Sequence, residues 1–399
     1  MNILFVTSDR VSPQSGGIAR ITYLLAEGLK DKCVTSVSAY LHQKDNIQSS
    51  SNIFDCEFLI DGEDHSCHYT TILTSYNIDY VIVQGGCTEM NRELVYLRES
   101  ISEQSRSIPL YLVFHAMPGY ELYSLDWSIL IRKVFSKEWK EYSKQFLLQL
   151  IMLINKGLLH RQLYKKYRIP YQLADKVILL SPSYIDDYNI LAKGTDKSKY
   201  VSIPNMLTFP IVGEASFNKE KEVLIVARMD ERSKRIKLAL QIWGNIPDRL
   251  LNDGWRLTIV GDGEDLTYYQ HYVEWKTIKG VSFEGRQNPL QYYQRASIFM
   301  MTSACEGWPM TLMEAMQNGC VPIVFDSFKA VYDIMDSHNN GIIVTNNDVD
   351  TYIKELEQLM IDDSYRNHLA QNALKDCKRF DKEPVVNQWI ELFNSIMNN

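Results

Sequence analysis

The sequence predicts an α/β fold made of two doubly wound, Rossmann-like domains that face a central cleft. Its 399 residues are too many for one ordinary hydrophobic core and suit two domains. Short apolar runs typical of buried parallel strands recur along the chain, with helical stretches or loops between them. Each half opens with a strand that leads into a helix, at residues 3–29 and 222–243. This repeated order indicates one parallel sheet in each domain.

The first predicted domain covers residues 1–210, and residues 385–399 return to it as a C-terminal helix. Its first helix is indicated by apolar residues at helical spacing, namely Ile18, Ile21, Leu25 and Leu29. Its strands are predicted at residues 3–6, 35–40, 80–84, 110–114 and 176–180. The alternation is that of a parallel sheet wound with helices.

The second predicted domain covers residues 217–384 and repeats the pattern. Its strands are predicted at residues 222–227, 256–260, 281–283, 298–301 and 321–325. A helix is predicted to start at residue 236 and to include residues 236–243. Residues 201–219 contain Pro204 and Pro210 and show no clear period, so we predict a linker there.

The composition limits the possible functions. A formal net charge of −7 argues against a general affinity for nucleic acid. The longest apolar stretch, residues 146–154, is far shorter than the about 20 residues that cross a bilayer. Seven scattered cysteines without a Cys-x-x-Cys pair fit reduced thiols. We therefore expect a cytoplasmic protein.

Residues 56–68 hold Cys56, His65 and Cys67, a combination that suggests a metal site. Their spacing matches no common zinc pattern. We predict a loop at residues 56–68 and no metal.

The most informative motif runs from Glu306 to Glu314 and follows the predicted strand at residues 298–301. Pro309 suits the first helical position and Gly319 the C-terminal cap, so a helix is predicted from about residue 309 to 317.

The start of this predicted helix suits a phosphate, because its first amides, around Met310 and Thr311, lack helical acceptors and the helix dipole favours an anion. Glu306 and Glu314 stand on either side of that position, where carboxylates can accept hydrogen bonds from hydroxyl groups. A nucleotide sugar has this layout of sugar, diphosphate and ribose. The alternative is that Glu306 only stabilises the helix start and that Glu314 is solvated.

Arg228 and Lys234 follow the predicted strand at residues 222–227 and could neutralise a diphosphate. Because Arg232 and Arg235 lie beside them, a solvated basic loop is the alternative.

Two further features come from the first half. Gly16 and Gly17 open the first helix, where glycines permit close approach of a ligand to the backbone, although they could simply form a turn. His115 ends the predicted strand at residues 110–114 and could hydrogen-bond a sugar or share in proton transfer, although a lone histidine is often structural. Neither Gly16-Gly17 nor Gly261-Asp-Gly263 has the spacing of a nicotinamide-dinucleotide site.

Together these features resemble glycosyltransferase family 4, a group of retaining enzymes with the GT-B fold. The resemblance rests on an E-x7-E pair, an Arg-x5-Lys pair, a glycine loop and a cleft histidine. The matching positions are Glu306, Glu314, Arg228, Lys234, Gly16, Gly17 and His115. The match is highly specific in the C-terminal half and looser in the N-terminal half.

The resemblance implies a site for the donor diphosphate. Arg228 and Lys234 would hold it, with help from the amides near Met310 and Thr311. Gly17 would lie against it. Such enzymes need no metal, since fixed cations and a helix start neutralise the departing nucleotide. We therefore expect no cofactor.

The resemblance also implies roles toward the sugars. Glu314 would bind the ribose hydroxyls, Glu306 the donor sugar, and His115 would lie near the transferred sugar. The expected activity is retaining transfer of a hexose-type sugar from a nucleotide-diphosphate sugar, with UDP favoured. The acceptor would be a glycan or lipid-linked glycan in cell-surface polysaccharide or lipopolysaccharide synthesis.

Two alternatives stay open. One is a sugar-nucleotide epimerase of the same architecture. The other is a non-catalytic protein that binds nucleotide sugars within a membrane complex for glycan assembly.

Residues 126–168 form a basic segment with a net charge of +7 in an acidic chain, and aromatic residues interleave with its charges. Such a segment can lie on an anionic membrane surface, which would place the protein peripherally on the inner face of the cytoplasmic membrane. The alternative is a helical insert that packs on the first domain with its lysines in water.

Overall fold

The computed structural model describes residues 1–13, 16–43, 53–85, 88–122, 156–210 and 219–397. The chain divides into two compact units. The first contains Met1–Gly119, Ile154–Thr208 and Phe380–Asn399, and Phe209–Arg379 forms most of the second. Each unit contains one parallel sheet with helices, and the predicted α/β class with two Rossmann-like domains is confirmed.

The strands of the first unit are β1 Asn2–Asp9, β2 Thr35–His42, β3 Cys56–Leu59, β4 Tyr80–Gly85, β5 Leu110–Phe114, β6 Lys176–Leu179 and β7 Tyr200–Ser202. Their order across the sheet is β3-β2-β1-β4-β5-β6-β7. The central strand β1 is fully buried from Ile3 to Val6, which explains why it reads as a continuous apolar run. This order places the carboxyl ends of β1, β4 and β5 side by side.

The helices described in the first unit before its last segment are α1 Gly17–Lys30, α2 His65–Ser75, α3 Thr88–Ser102, α4 Lys156–Leu173 and α5 Ile185–Ala192. In α1 the side chains of Ile21, Leu25 and Leu29 are buried on one face, as their spacing predicts. Ile18, at the same spacing, is an exposed exception in the first turn.

The strands of the second unit are β8 Glu220–Val226, β9 Arg256–Val260, β10 Val281–Gly285, β11 Ala296–Met301, β12 Val321–Phe325 and β13 Ile342–Val344. Their order is β10-β9-β8-β11-β12-β13. The helices that follow are α6 Glu231–Lys234, α7 Ile236–Trp243, α8 Asp248–Asn252, α9 Leu266–Lys276, α10 Leu290–Arg295, α11 Met310–Gln317, α12 Val331–Ile334, α13 Val349–Ile361 and α14 Asp363–Asp376. The core includes the large buried side chains of Trp243, Trp255, Tyr269 and Tyr352.

The last helix, α15 Lys382–Met397, packs on the first unit. Its Phe393 ring lies 4.8 Å from the ring of Tyr80, centroid to centroid, and the Tyr80 hydroxyl donates to the Phe393 carbonyl at 2.8 Å. Lys382 forms ion pairs of 3.0 Å with Glu27 on α1 and with Asp31, the C-cap residue of α1. Burial of an aromatic side chain such as Phe393 contributes about 1.5–3 kcal/mol, so these rings hold the helix in place.

Two predictions are wrong in detail. Residues 56–68 are not a loop, because they contain β3 and the first turn of α2. The short edge strand β3 is half exposed and has only four residues, one of which is Glu57, which hides it in the sequence. Residues 201–202 belong to β7 rather than to a linker, and the amide of Leu207 donates to the Phe380 carbonyl at 2.9 Å. The prolines obscure this ordered segment because they interrupt its periodicity.

Within the described ranges, no helix is both long and apolar enough to cross a membrane. Most of the predicted membrane-binding segment 126–168 lies outside the described residues, and only residues 156–168 are described, as part of α4.

Candidate functional site

Two loops meet at the carboxyl edge of the second sheet. One follows β8 and carries Arg228 and Lys234, and the other follows β11 and carries Glu306. Because β8 and β11 are neighbouring parallel strands, their following loops emerge at the same edge. The amide of Ala304 donates to the carbonyl of Ser233 at 2.8 Å, which ties the loops together.

Lys234 and Glu306 form an ion pair between these loops. The distance from Lys234 Nζ to Glu306 Oε1 is 2.5 Å, and the two side chains are only 23% and 13% exposed. The structure thus brings together two predicted site residues that are 72 positions apart in the chain. A shielded cation and a carboxylate in contact suit a ligand that carries both negative charge and hydroxyl groups.

Arg228 lies on the same loop with its side chain 70% exposed, and its guanidinium donates to Asp230 Oδ2 at 2.8 Å. Asp230 also accepts from the Ser233 hydroxyl at 2.9 Å and from the Arg232 amide at 3.1 Å. Burial acts to raise the pKa of Asp230, but the hydrogen bonds from Ser233 and Arg228 hold it below its ordinary value. A charged Asp230 therefore orients Arg228.

Helix α11 begins beside Glu306, as predicted, but its first turn differs in detail. Pro309 is the N-cap residue, with φ −71° and ψ 106°, rather than the first helical residue. The Leu312 amide donates to the Pro309 carbonyl at 3.1 Å. The amides of Met310 and Thr311 are therefore the ones that lack an acceptor within the helix.

Glu314 lies on the inner side of α11 and is 2% exposed, so the alternative that it is solvated is wrong. The Tyr293 hydroxyl donates to Glu314 Oε2 at 3.0 Å and fixes the carboxylate.

The loop between β11 and α11 also holds Cys305, and burial raises the pKa of its thiol to about 11. The thiol is therefore protonated at neutral pH and is a poor nucleophile.

Gly261 and Gly263, which follow β9, pack closely against the backbone of the loop after β8. Gly261 has φ +141°, and a Cβ there would lie 1.8 Å from the Ala227 carbonyl oxygen. A Cβ on Gly263 would lie 2.6 Å from the Met229 carbonyl oxygen. These glycines allow the two backbones to approach closely.

In the first unit, His115 follows β5, and its Nε2 lies 2.6 Å from Gln84 Oε1 at the end of the neighbouring strand β4. Burial lowers the pKa of His115 to about 4, so the imidazole is neutral at pH 7. Because the amide oxygen accepts, Nε2 carries the proton in this pair and Nδ1 is an acceptor.

Gly16 and Gly17 form the exposed start of α1, as predicted, with Gly16 as the N-cap residue. Among the described residues, apart from the adjoining backbone, no heavy atom lies within 4 Å of a Cβ built on either glycine. The described neighbours therefore do not require glycine at either position.

Four residues that contact the predicted site residues or the loops that carry them were not predicted from the sequence: Gln84, Asp230, Tyr293 and Arg235. Gln84 had the clearest signal, because it is a polar residue at the end of an apolar strand. Tyr293 and Arg235 gave no such signal, since their partners are distant in the sequence.

Residues 211–376 match the model of the family described as Glycosyl transferases group 1. A relative from Campylobacter jejuni, an alpha-1,4-N-acetyl-D-galactosaminyltransferase that acts on a GalNAc-containing diNAcBac-PP-undecaprenol, is 26% identical over 232 residues, 58% of this chain and 63% of that protein. The amylovoran biosynthesis glycosyltransferase AmsD of Erwinia amylovora is 28% identical over 236 residues, 56% of this chain and 63% of that protein. The chain thus spans about 63% of the length of these curated relatives.

Solved structures match the whole fold. HepE of Anabaena in complex with UDP superposes with a TM-score of 0.74 at 15% identity, over 99% of this chain and 100% of that one. The lipopolysaccharide outer core galactosyltransferase WaaB superposes with a TM-score of 0.70 at 16% identity, over 99% of both chains. The fold is therefore GT-B. The family match and the curated relatives confirm the predicted resemblance to glycosyltransferases with the GT-B fold.

Proposed function

We propose that this protein is a retaining glycosyltransferase that moves a hexose-type sugar from a nucleotide-diphosphate sugar, with UDP favoured, to a glycan or lipid-linked acceptor. The observation that carries the proposal is the Lys234–Glu306 pair at the carboxyl edge of the second sheet, beside the start of α11. Its setting in surface-glycan synthesis is supported by the relatives, which include an amylovoran biosynthesis glycosyltransferase.

The donor diphosphate would lie against Lys234, Arg228 and the first amides of α11, at Met310 and Thr311. In the ligand-free protein, Glu306 neutralises Lys234 and Asp230 neutralises Arg228. An arriving diphosphate would share these cations with the carboxylates. As the bond from the sugar to the phosphate breaks, negative charge grows on the nucleotide, and the fixed cations stabilise it more strongly than in the ground state.

The carboxylates would then bind the hydroxyl groups of the donor. Glu306 would accept hydrogen bonds from the transferred sugar while it still faces Lys234, which couples recognition of the sugar to neutralisation of the phosphate. Glu314 would accept from the ribose hydroxyls with its orientation fixed by Tyr293. Both roles use ionised carboxylates as acceptors.

Gly17, next to Gly16, would approach the diphosphate through its backbone, and His115 would contact the transferred sugar. Because the neutral imidazole donates its Nε2 proton to Gln84, its Nδ1 can accept a hydrogen bond from a sugar hydroxyl without the ring carrying a charge.

The pKa of His115 gives a testable pH dependence. We expect its imidazole to titrate near pH 4 in the folded protein, against about 6.5 for an ordinary histidine. The folded state binds this proton less readily than the unfolded chain. The contribution of neutral His115 to the free energy of unfolding is therefore complete above about pH 6.5 and is lost as the pH falls toward about 4. An NMR titration of the histidine ring signals, assigned with His115→Gln, measures it, and a midpoint near 6.5 would contradict this account.

A screen of donors tests the proposed function. Purified protein is mixed with UDP-, GDP-, ADP- and CMP-sugars in the presence of EDTA, and thermal stabilisation and slow hydrolysis are measured. Stabilisation and turnover with one donor are expected, and activity in EDTA would support the proposal that no metal is required. Turnover that needs added Mg²⁺ would overturn the metal-independent part. Binding without hydrolysis or transfer, even with acceptors present, would favour the non-catalytic alternative, and epimerised product would favour the epimerase.

We also propose that residues 126–168 dock on the anionic inner face of the cytoplasmic membrane, near a lipid-linked acceptor. Their net charge of +7 supports this interpretation. Where the segment is described, in α4, the side chains of Leu163 and Tyr167 are buried in the first unit, as the packed alternative requires for that part.

Vesicle binding separates these alternatives. If the segment docks on lipid, the protein should bind vesicles that contain anionic lipid, binding should weaken as salt rises, and neutral vesicles should bind far less. Cosedimentation measures all three. Salt-independent binding, or none, would favour the packed helix.

A further inference from the structure

Arg235 follows Lys234 directly and occupies the turn between α6 and α7. Its backbone is left-handed, with φ 50° and ψ 45°, a conformation that is unfavourable for a residue with a Cβ. The turn changes the chain direction immediately after the proposed phosphate-binding cation.

All three nitrogen atoms of the Arg235 guanidinium donate hydrogen bonds. Its Nε donates to the Thr302 carbonyl at 2.6 Å and its Nη2 to the Ser303 carbonyl at 2.8 Å. Nη2 also donates to Asn346 Oδ1 at 3.0 Å, and Nη1 donates to Asn347 Oδ1 at 2.9 Å. One side chain therefore links the turn after Lys234 to the loop after β11 and to the loop after β13.

Donors on the loop after β11 also form hydrogen bonds to backbone carbonyls at the same turn. The Thr302 hydroxyl lies 3.1 Å from the carbonyl oxygens of both Lys234 and Arg235, and the amide of Ala304 donates to Ser233. Glu306 stands two residues beyond Ala304. The hydrogen bonds thus fix the backbones of both members of the Lys234–Glu306 pair relative to each other.

We propose that Arg235 is a positioning residue, which holds the Lys234 turn against the Glu306 loop so that the cation and the carboxylate meet on the donor. The importance of this for catalysis rests on the proposed function. The forked guanidinium is required, because the single ammonium of a lysine cannot donate in the same planar arrangement to two adjacent carbonyls.

Arg235→Gly tests the proposal, since glycine adopts the left-handed turn without steric strain and the variant loses the guanidinium contacts. Thr277→Gly is the matched control, because Thr277 lies in the same unit with φ 53° and ψ 40° after α9. Arg235→Lys retains the charge and loses the fork.

The first readout is hydrogen exchange of ligand-free protein at the Ala304 amide. We expect exchange there to be about tenfold faster or more in Arg235→Gly and unchanged in Thr277→Gly, because the loops separate locally. Unchanged exchange in a folded Arg235→Gly protein, or an equal increase in the control, would overturn the proposal.

The second readout is kinetic. With the donor found by the screen, Arg235→Gly should lower kcat by about 10–10²-fold, more than it raises KM, because misplacement of Lys234 weakens stabilisation of the departing nucleotide. The kcat of Arg235→Lys should lie between those of the wild-type protein and Arg235→Gly. Added methylguanidinium should partly restore the kcat of Arg235→Gly. An unchanged kcat would overturn the positioning role. If the wild-type protein turns over no donor, the proposed function fails, and the exchange at Ala304 still decides the structural role of Arg235.

Discussion

Lys234→Ala should lower the rate of sugar transfer by about 10²–10³-fold, the loss typical of a removed electrostatic group. Lys234 Nζ is part-shielded from solvent and touches Glu306, so its charge acts where water screens it weakly. The variant should bind the donor less tightly, but the larger loss should be in kcat, because charge on the departing nucleotide is greatest in the transition state.

Lys237→Ala is a suitable control for this experiment. Lys237 has the same charge, lies in the same unit, and packs its ammonium 5.6 Å from the centre of the Tyr272 ring. We expect its kcat and KM to stay close to those of the wild-type protein. A folded Lys234→Ala protein with a near-normal rate would contradict the assignment of Lys234 to the diphosphate.

Glu306→Ala should leave binding of the nucleotide diphosphate intact and impair transfer of the sugar. The carboxylate is proposed to bind the sugar rather than the nucleotide, and its loss also frees Lys234 from its partner. We expect transfer to fall by roughly 10–10²-fold, which corresponds to a hydrogen bond with a charged group of about 1.5–3 kcal/mol. Calorimetric titration with the nucleotide and initial rates of transfer separate the two effects.

Glu274→Ala, on the exposed side of α9, controls for loss of one negative charge from the same unit. It should change neither nucleotide affinity nor transfer. If Glu306→Ala transferred sugar at the wild-type rate, Glu306 would have no place at the donor sugar. If it lost the nucleotide altogether, its role would be to hold the phosphate-binding loop in place.

The fold could be predicted because its physical basis is local. Buried parallel strands such as β5 and β12 are continuous apolar runs, and their predicted bounds, residues 110–114 and 321–325, are those observed. The edge strands β3, β7 and β13 were missed because each has only three or four residues, too few to show a period of its own.

The site was predictable only in part. Spacing predicted that Glu306 precedes the start of a helix and that Glu314 lies within it, and the structure places Glu306 before α11 and Glu314, buried, in its second turn. The contact between Lys234 and Glu306 crosses 72 positions, and that of Arg235 with Asn346 crosses 111, so no local pattern could reveal them. The left-handed turn at Arg235 is also hidden, because arginine in a basic run predicts a solvated loop.

Hydrogen exchange with and without the nucleotide diphosphate identified by the screen would test the central claim most directly, because it locates the donor without requiring an acceptor. We predict that nucleotide slows amide exchange in residues 227–235 and at the start of α11, including Met310 and Thr311, and that Lys234→Ala weakens this protection. Saturating nucleotide that protects other parts of the chain and leaves these two regions unchanged would contradict the claim that the Lys234–Glu306 pair forms the donor site.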